Sequence, residues 1–180
     1  MKIFLDPGHG GHDNGAVNKY LNEKNINLIV ATKVNDILTK KGFQVKPSRI
    51  NDTFISLDDR CNSANSWGAN LFISIHHNAG GGVGCEVIHS IVNGKGRNLA
   101  KCIADEFVKL GQKLRKIYCK KDPSTGKDYY LVIRKTKMPS IITEYAFIDS
   151  DDYLNINSND KLYKEANAIA LGICNFLKVT

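Results

Sequence analysis

His9 lies in the run Asp6-Pro7-Gly8-His9-Gly10-Gly11, the pair His76-His77 follows the apolar stretch Leu71 to Ile75, and Glu144 follows Ile141-Ile142-Thr143. Glu23 opens a stretch of helical spacing and is tied to His9 by a short connection, residues 10–22. Two imidazoles and a carboxylate suit Zn²⁺, a borderline-soft ion that accepts nitrogen and oxygen donors alike. Three protein ligands leave a fourth position for water, which becomes acidic enough to lose its proton to a nearby carboxylate near neutral pH. The glycines around His9 admit positive φ and let the backbone come close to an ion or a substrate. His76 and His77 compete for one role, because neighbours on a strand point to opposite faces.

Ligands of an open α/β sheet gather beyond the carboxyl ends of its strands, and the periodicity of this chain predicts such a sheet. Residues 2–5 form a short apolar run that fits a buried strand. From Glu23 the apolar residues Ile26, Ile29, Val30, Val34, Ile37 and Leu38 share one helical face, with Asn22 as N-cap and Gly42 as the stop. Phe43 to Lys46 reads as a second strand closed by Pro47. Ser56 opens another helix, with Leu57, Cys61 and Ala64 inward and Gly68 at its end; Ser56 and Asp59 have the spacing of a capping box. Leu71 to Ile75 is unbroken in its apolar character, as expected of a central parallel strand covered on both faces. Cys85 to His89 is a further short strand, and Leu99, Ile103, Phe107 and Leu110 mark a helix. Tyr129 to Ile133 and Ile141 to Thr143 read as strands, and residues 111–128 as an exposed loop or hairpin. Leu162, Ala166, Ile169, Ala170, Ile173, Phe176 and Leu177 close the chain as an amphipathic helix. The pattern predicts one α/β domain over residues 1–180, its mostly parallel twisted sheet flanked by helices on both faces.

Composition removes other classes. A chain of 180 residues with 42% hydrophobic and 24% charged residues has the ordinary make-up of a globular domain, not of a disordered or fibrous one. No apolar run approaches the ~20 residues of a membrane span, so membrane insertion is not expected. Five cysteines, an odd number without a Cys-x-x-Cys pair, argue against a disulfide framework and a zinc ribbon and for free, mostly buried thiols. Twenty-five Lys and Arg against 18 Asp and Glu leave a net charge of +7, which favours an anionic partner without choosing among them. Met1-Lys2 runs directly into a strand with no export signal, so the chain either starts in the cytoplasm or has had such a signal removed.

The segment from Asp6 to Ala16, Asp-Pro-Gly-His-Gly-Gly-His-Asp-Asn-Gly-Ala, resembles the opening motif of the zinc N-acetylmuramoyl-L-alanine amidases of the amidase-3 type. Glu23 to Leu28, Ser48-Arg49, Arg60 with Ala64-Asn65, Ser74 to Ala79, and Pro139 to Glu144 with Phe147 resemble later blocks in the same order. The resemblance runs from residue 2 to about 177. It implies one Zn²⁺ per chain held by His9, Glu23 and His76, with Glu144 as the catalytic carboxylate. It also implies a sheet of about six strands and hydrolysis of the amide between the lactyl group of N-acetylmuramic acid and L-alanine in peptidoglycan. A peptidase or deacetylase on the same fold, and a non-enzymatic wall binder using the basic surface, are the alternatives. The implied setting is an endolysin or autolysin made without a signal peptide and released by lysis or through a holin. Its partner is peptidoglycan, with no nucleic acid, and its oligomeric state is open. Three places depart from the family pattern: Ala146 replaces a glycine after the catalytic block, His77 stands where a small residue is common, and Asp149-Ser150 replaces a commoner Ser-Asn. His77 is then a supporting, substrate-facing or solvated residue; His12 and His89 are expected on the surface or in loops. Glu86 is structural or faces the groove, Arg134 and Asn78 match without an assigned role, and Lys113–Lys121 is expected to be a solvated face.

Overall fold

Ile3, Phe4 and Leu5 are all completely buried, which a strand achieves only where helices cover both its faces. They belong to β1 (Lys2–Pro7) in a computed structural model that describes residues 1–92 and 94–179. The elements that follow are α1 (Glu23–Lys40), β2 (Gln44–Pro47), α2 (Leu57–Trp67), β3 (Leu71–Asn78), β4 (Cys85–His89) and α3 (Lys95–Lys109). β5 (Leu114–Tyr118), α4 (Leu131–Lys135), β6 (Ser140–Phe147), a 3₁₀ turn (Asp151–Asn155) and α5 (Asn159–Leu177) complete the chain. The strands form one six-stranded sheet in the order β2-β1-β3-β6-β4-β5, parallel except where β4 runs against β6.

Side-chain alternation divides the core into two layers. Ile3, Leu5, Ile73 and Ile75 face α1, α3 and α5, whereas Phe4, Phe72 and Ile142 face α2 and α4. The Phe4 and Phe72 rings stack 5.6 Å apart across β1 and β3. α3 and α5 approach so closely at Gly172 that a Cβ there would lie 2.6 Å from Cα of Ile103. Polar residues fix the helix starts. The side chain of Asn22 accepts from the Lys24 amide, and that of Ser56 accepts from the Asp59 amide at 3.1 Å. Gly68 ends α2 with φ of 68°. Replacing Ser56 with Ala is expected to cost about 1 kcal/mol of stability, read as a lower denaturant midpoint at unchanged slope.

Several expectations need correction. Tyr129 to Ile133 is not a strand: Leu131–Lys135 is a short helix whose Val132 and Ile133 pack into the Phe4 layer. A short apolar run has no periodicity to tell the two apart. Residues 111–128 are not all loop, because Leu114–Tyr118 pairs with β4 as an edge strand. Its Lys and Arg hide the strand pattern while blunting the open edge against foreign strands. His89 is neither on the surface nor in a loop; it is buried at the end of β4, with Nδ1 2.7 Å from the Ser90 carbonyl. Ile29, Leu57 and Leu110 lie on helix rims and are exposed rather than inward. The thiols of Cys61, Cys85 and Cys174 are buried and Cys102 is half-buried, but Cys119 is exposed. Burial pushes the Cys61 thiol up to about 11 and that of Cys85 up to about 12, so neither is a nucleophile.

Candidate metal centre

The centre begins where β1 runs out. Gly8 donates to the Ile75 carbonyl at 3.0 Å, continuing the β1–β3 pairing for one more step. His9 then turns with φ of 59°, a conformation that an L-residue holds only under constraint. Two buried arginines supply that constraint. Nε of Arg49 donates to the Pro7 carbonyl at 3.1 Å, and Nη2 donates to the Gly8 carbonyl at 2.8 Å. Arg60 donates to the carbonyls of Pro7 and His9, both at 2.8 Å. The charge of Arg60 is met by Asp6 at 2.6 Å, and Asp6 also accepts from the hydroxyls of Ser48 and Ser74. A buried ion pair with its remaining lone pairs satisfied thus holds the His9 turn in place.

Alternation along β3 does the next step. Phe72, Ser74 and His76 share one face, while Ile73, Ile75 and His77 share the other. Glu23 enters from the first turn of α1. Its Oε2 lies 3.2 Å from Nε2 of His9 and accepts from the Ala16 amide at 2.7 Å. Its Oε1 lies 3.0 Å from Nδ1 of His76 and accepts from the His77 amide at 3.1 Å. The candidate ligand atoms of His9, Glu23 and His76 all fall within 4.8 Å of one another. Burial opposes ionisation of Glu23, but His76 and His9 outweigh it and hold the carboxyl far below the usual carboxylate range. Burial likewise opposes the charged form of His9, yet Glu23 and Asp13 raise its pKa. Nδ1 of His9 lies 2.8 Å from Oδ2 of Asp13 and donates to it, which leaves Nε2 as the ring nitrogen that faces Glu23 and the candidate site. A carboxylate partner of this kind fixes the ring and raises ligand basicity.

The space around the cluster leaves no slack. A Cβ on Gly8 would come 2.1 Å from the His76 ring, and one on Gly15 would come 2.5 Å from both Glu23 and His9. Gly8→Ala therefore forces the His76 ring aside at an overpacking cost of about 1–3 kcal/mol. We expect its metal affinity, measured by competition with a chromophoric chelator, to fall about tenfold or more.

Glu144 stands outside this trio. On β6 it is the register partner of His76 on one side and of Glu86 on the other. Its Oε2 is buried without a hydrogen-bond partner. Burial first, then the charges of Glu23 and Glu86, push its pKa well above the usual range. Beside it lies a cavity of about 160 Å³ with a mainly apolar wall of Leu57, Tyr130, Leu131, Val132 and Ile142.

The remaining residues fall elsewhere. His77 is buried behind the cluster, where Glu165 outweighs the effect of burial and raises its pKa. His12 is exposed, its ring 4.2 Å from that of Phe54. Glu86 is buried and pairs with Arg115 and Lys116 at 2.9 and 3.4 Å. Arg134 donates to the Asp128 and Tyr129 carbonyls ahead of α4, and Asn78 caps the Ala79 amide. Three contributors escaped the sequence reading: Asp13, Asn27 and Glu165. The first two sit four residues beyond His9 and Glu23, and the third interrupts the apolar stripe of α5 between Leu162 and Ala166.

A His–Glu–His cluster at the carboxyl edge of a parallel sheet, beside a buried carboxylate, is a layout that can hold a divalent ion. It places the chain among α/β domains that carry a candidate metal site at the carboxyl edge of the sheet. Residues 3–175 match the model of the Amidase_3 family, N-acetylmuramoyl-L-alanine amidase, and the chain belongs to that family. It is 38% identical over 153 residues to the sporulation-specific N-acetylmuramoyl-L-alanine amidase of Bacillus subtilis, a match covering 83% of this chain and 57% of that protein. It is 37% identical to the N-acetylmuramoyl-L-alanine amidase CwlM of Bacillus licheniformis, covering 98% of this chain and 67% of the relative. Among solved structures, Cwp6 from Clostridium difficile superposes with a TM-score of 0.93 at 30% identity, over 98% of this chain and 29% of that one. The chain thus spans little more than half of the sporulation amidase and less than a third of Cwp6. No helix among the described residues is long and apolar enough to cross a membrane.

Proposed function

We propose that this domain hydrolyses the amide between the lactyl carbonyl of N-acetylmuramic acid and L-alanine in peptidoglycan, with one Zn²⁺ on His9, Glu23 and His76 and with Glu144 as general base. The observation that carries the reading is the convergence of three ligand atoms, from β1, α1 and β3, within 4.8 Å of one another. When bound, Zn²⁺ supplies Lewis acidity that brings the pKa of water toward neutrality and polarises a carbonyl. Glu144 takes a proton from the attacking water at Oε2, the oxygen that no protein group occupies. Its raised pKa suits it to receive that proton and then deliver it to the alanine nitrogen, which leaves as an amine. Asp13 holds His9 in the tautomer that ligation needs.

Purified peptidoglycan digested with the protein tests the reading. Free L-alanine amino groups should appear without new reducing sugar ends, and a chelator should stop their release. New amino groups on other stem residues would instead identify a peptidase, and unchanged wall would identify a binder. The setting we propose is wall lysis by an autolysin or endolysin, supported by the family and by the sporulation amidase among its relatives.

A further inference from the structure

Behind the cluster, on the α5 side of the sheet, two ionisable residues are sealed from solvent and take no part in the reaction proposed above. The side chains of His77 and Glu165 are both 0% exposed, and Nε2 of His77 lies 3.1 Å from Oε2 of Glu165. Oε1 of Glu165 has no hydrogen-bond partner. Burying a carboxylate this deeply is costly unless it is paired, and the hydrogen bonds show what the pair supports. Nδ2 of Asn27 faces two acceptors, the Gly8 carbonyl at 3.4 Å and Oε1 of Glu23 at 3.3 Å. That leaves Oδ1 of Asn27 toward His77, 2.8 Å from Nδ1, so Nδ1 carries the hydrogen and donates. The line runs from α5 through β3 and α1 to the oxygen of Glu23 that faces His76.

We propose that Glu165 and His77 are positioning residues for the metal centre: Glu165 locks the His77 ring, His77 locks the Asn27 amide, and Asn27 with the His77 backbone amide fixes Oε1 of Glu23. The proposal rests on the metal-site reading above. The contact between Nε2 and Oε2 gives each of these two sealed groups a partner, which is how the interior tolerates them. Without Glu165, His77 can rotate and release Asn27. Without His77, Asn27 keeps its place only through its bonds to Gly8 and Glu23.

The test measures Zn²⁺ affinity by chelator competition in His77→Ala, Glu165→Ala, Glu165→Gln and the double variant His77→Ala/Glu165→Ala. Far-UV circular dichroism of each metal-free protein establishes that it is folded. Losing a partner that orients a metal ligand costs about 10–100-fold in affinity, and each Ala variant should fall in that range. Glu165→Gln, whose amide can donate to Nε2, should return to within a few-fold of the parent. Because Glu165 acts only through His77, the double variant should lose no more than His77→Ala alone, a non-additivity that a general loss of packing would not produce. Parental affinity in folded His77→Ala, equal losses in Glu165→Gln and Glu165→Ala, or fully additive losses would each overturn the proposal. If a single Ala variant does not fold, His77→Ala/Glu165→Leu, which removes both polar groups, decides by the same affinity criterion. A parent protein that binds no stoichiometric Zn²⁺, or a His9→Ala variant that still binds it, would refute the metal-site reading instead.

Discussion

Glu144→Gln is expected to lower the rate of wall hydrolysis about a thousandfold or more while leaving the bound metal in place. General acid–base groups contribute about 10²–10⁴-fold, and Glu144 is asked both to take a proton and to return it. Gln has nearly the same shape and cannot do either. The substitution breaks no hydrogen bond at Oε2, because that atom has none to lose. It also replaces a group whose ionised form is opposed by burial and by Glu23 and Glu86. The sign follows from the raised pKa. A carboxyl that holds its proton more tightly when folded subtracts stability as pH rises above the unfolded carboxylate range, so at neutral pH the Gln protein should melt no lower than its parent. Activity comes from released L-alanine amino groups and metal content from elemental analysis. Near-parental turnover in the metal-loaded variant would remove Glu144 from the mechanism.

His9→Ala should abolish both stoichiometric metal and hydrolysis. The trio has one carboxylate and two imidazoles, and two remaining donors fall short of the three that an open catalytic site uses. The loss should be near complete because no spare donor stands by: among the described residues the only cluster with ligand spacing is His9, Glu23 and His76, and His77 is turned to the other face of β3. Metal-to-protein ratio after dialysis, together with the product assay, checks this. A variant that retained one metal per chain would move the ligand assignment elsewhere.

The sheet and the candidate cluster were largely legible because their signals are local. Apolar strands such as Leu71 to Ile75 stand out in any short window, and each is followed at once by the polar residue that its carboxyl end presents. Helix starts at Asn22 and Ser56 announce themselves through a side chain that meets an amide two or three residues on. What stayed hidden depends on residues distant in the chain. His77 could not be distinguished from a solvated or substrate-facing residue until α5 brought Glu165 against it across 88 positions. β5 was masked because an edge strand has one open side and can be built from Lys and Arg. α4 was misread because three consecutive apolar residues satisfy strand and helix alike. The antiparallel course of β4 has no local signature, since its burial pattern is that of a parallel core strand.

The arginine grip on the backbone of Pro7, Gly8 and His9 has a consequence for how the protein matures. Because Arg49 and Arg60 donate to the main-chain carbonyls of Pro7, Gly8 and His9, and Arg60 pairs with Asp6, the turn owes its shape to groups outside the candidate ligand cluster. The turn is therefore expected to form without an ion, so that folding and metal loading are separable steps. Unlike a zinc finger, which is a coil until its ion arrives, this chain should keep its folded circular-dichroism spectrum after chelation, and hydrolysis should return when Zn²⁺ is added back.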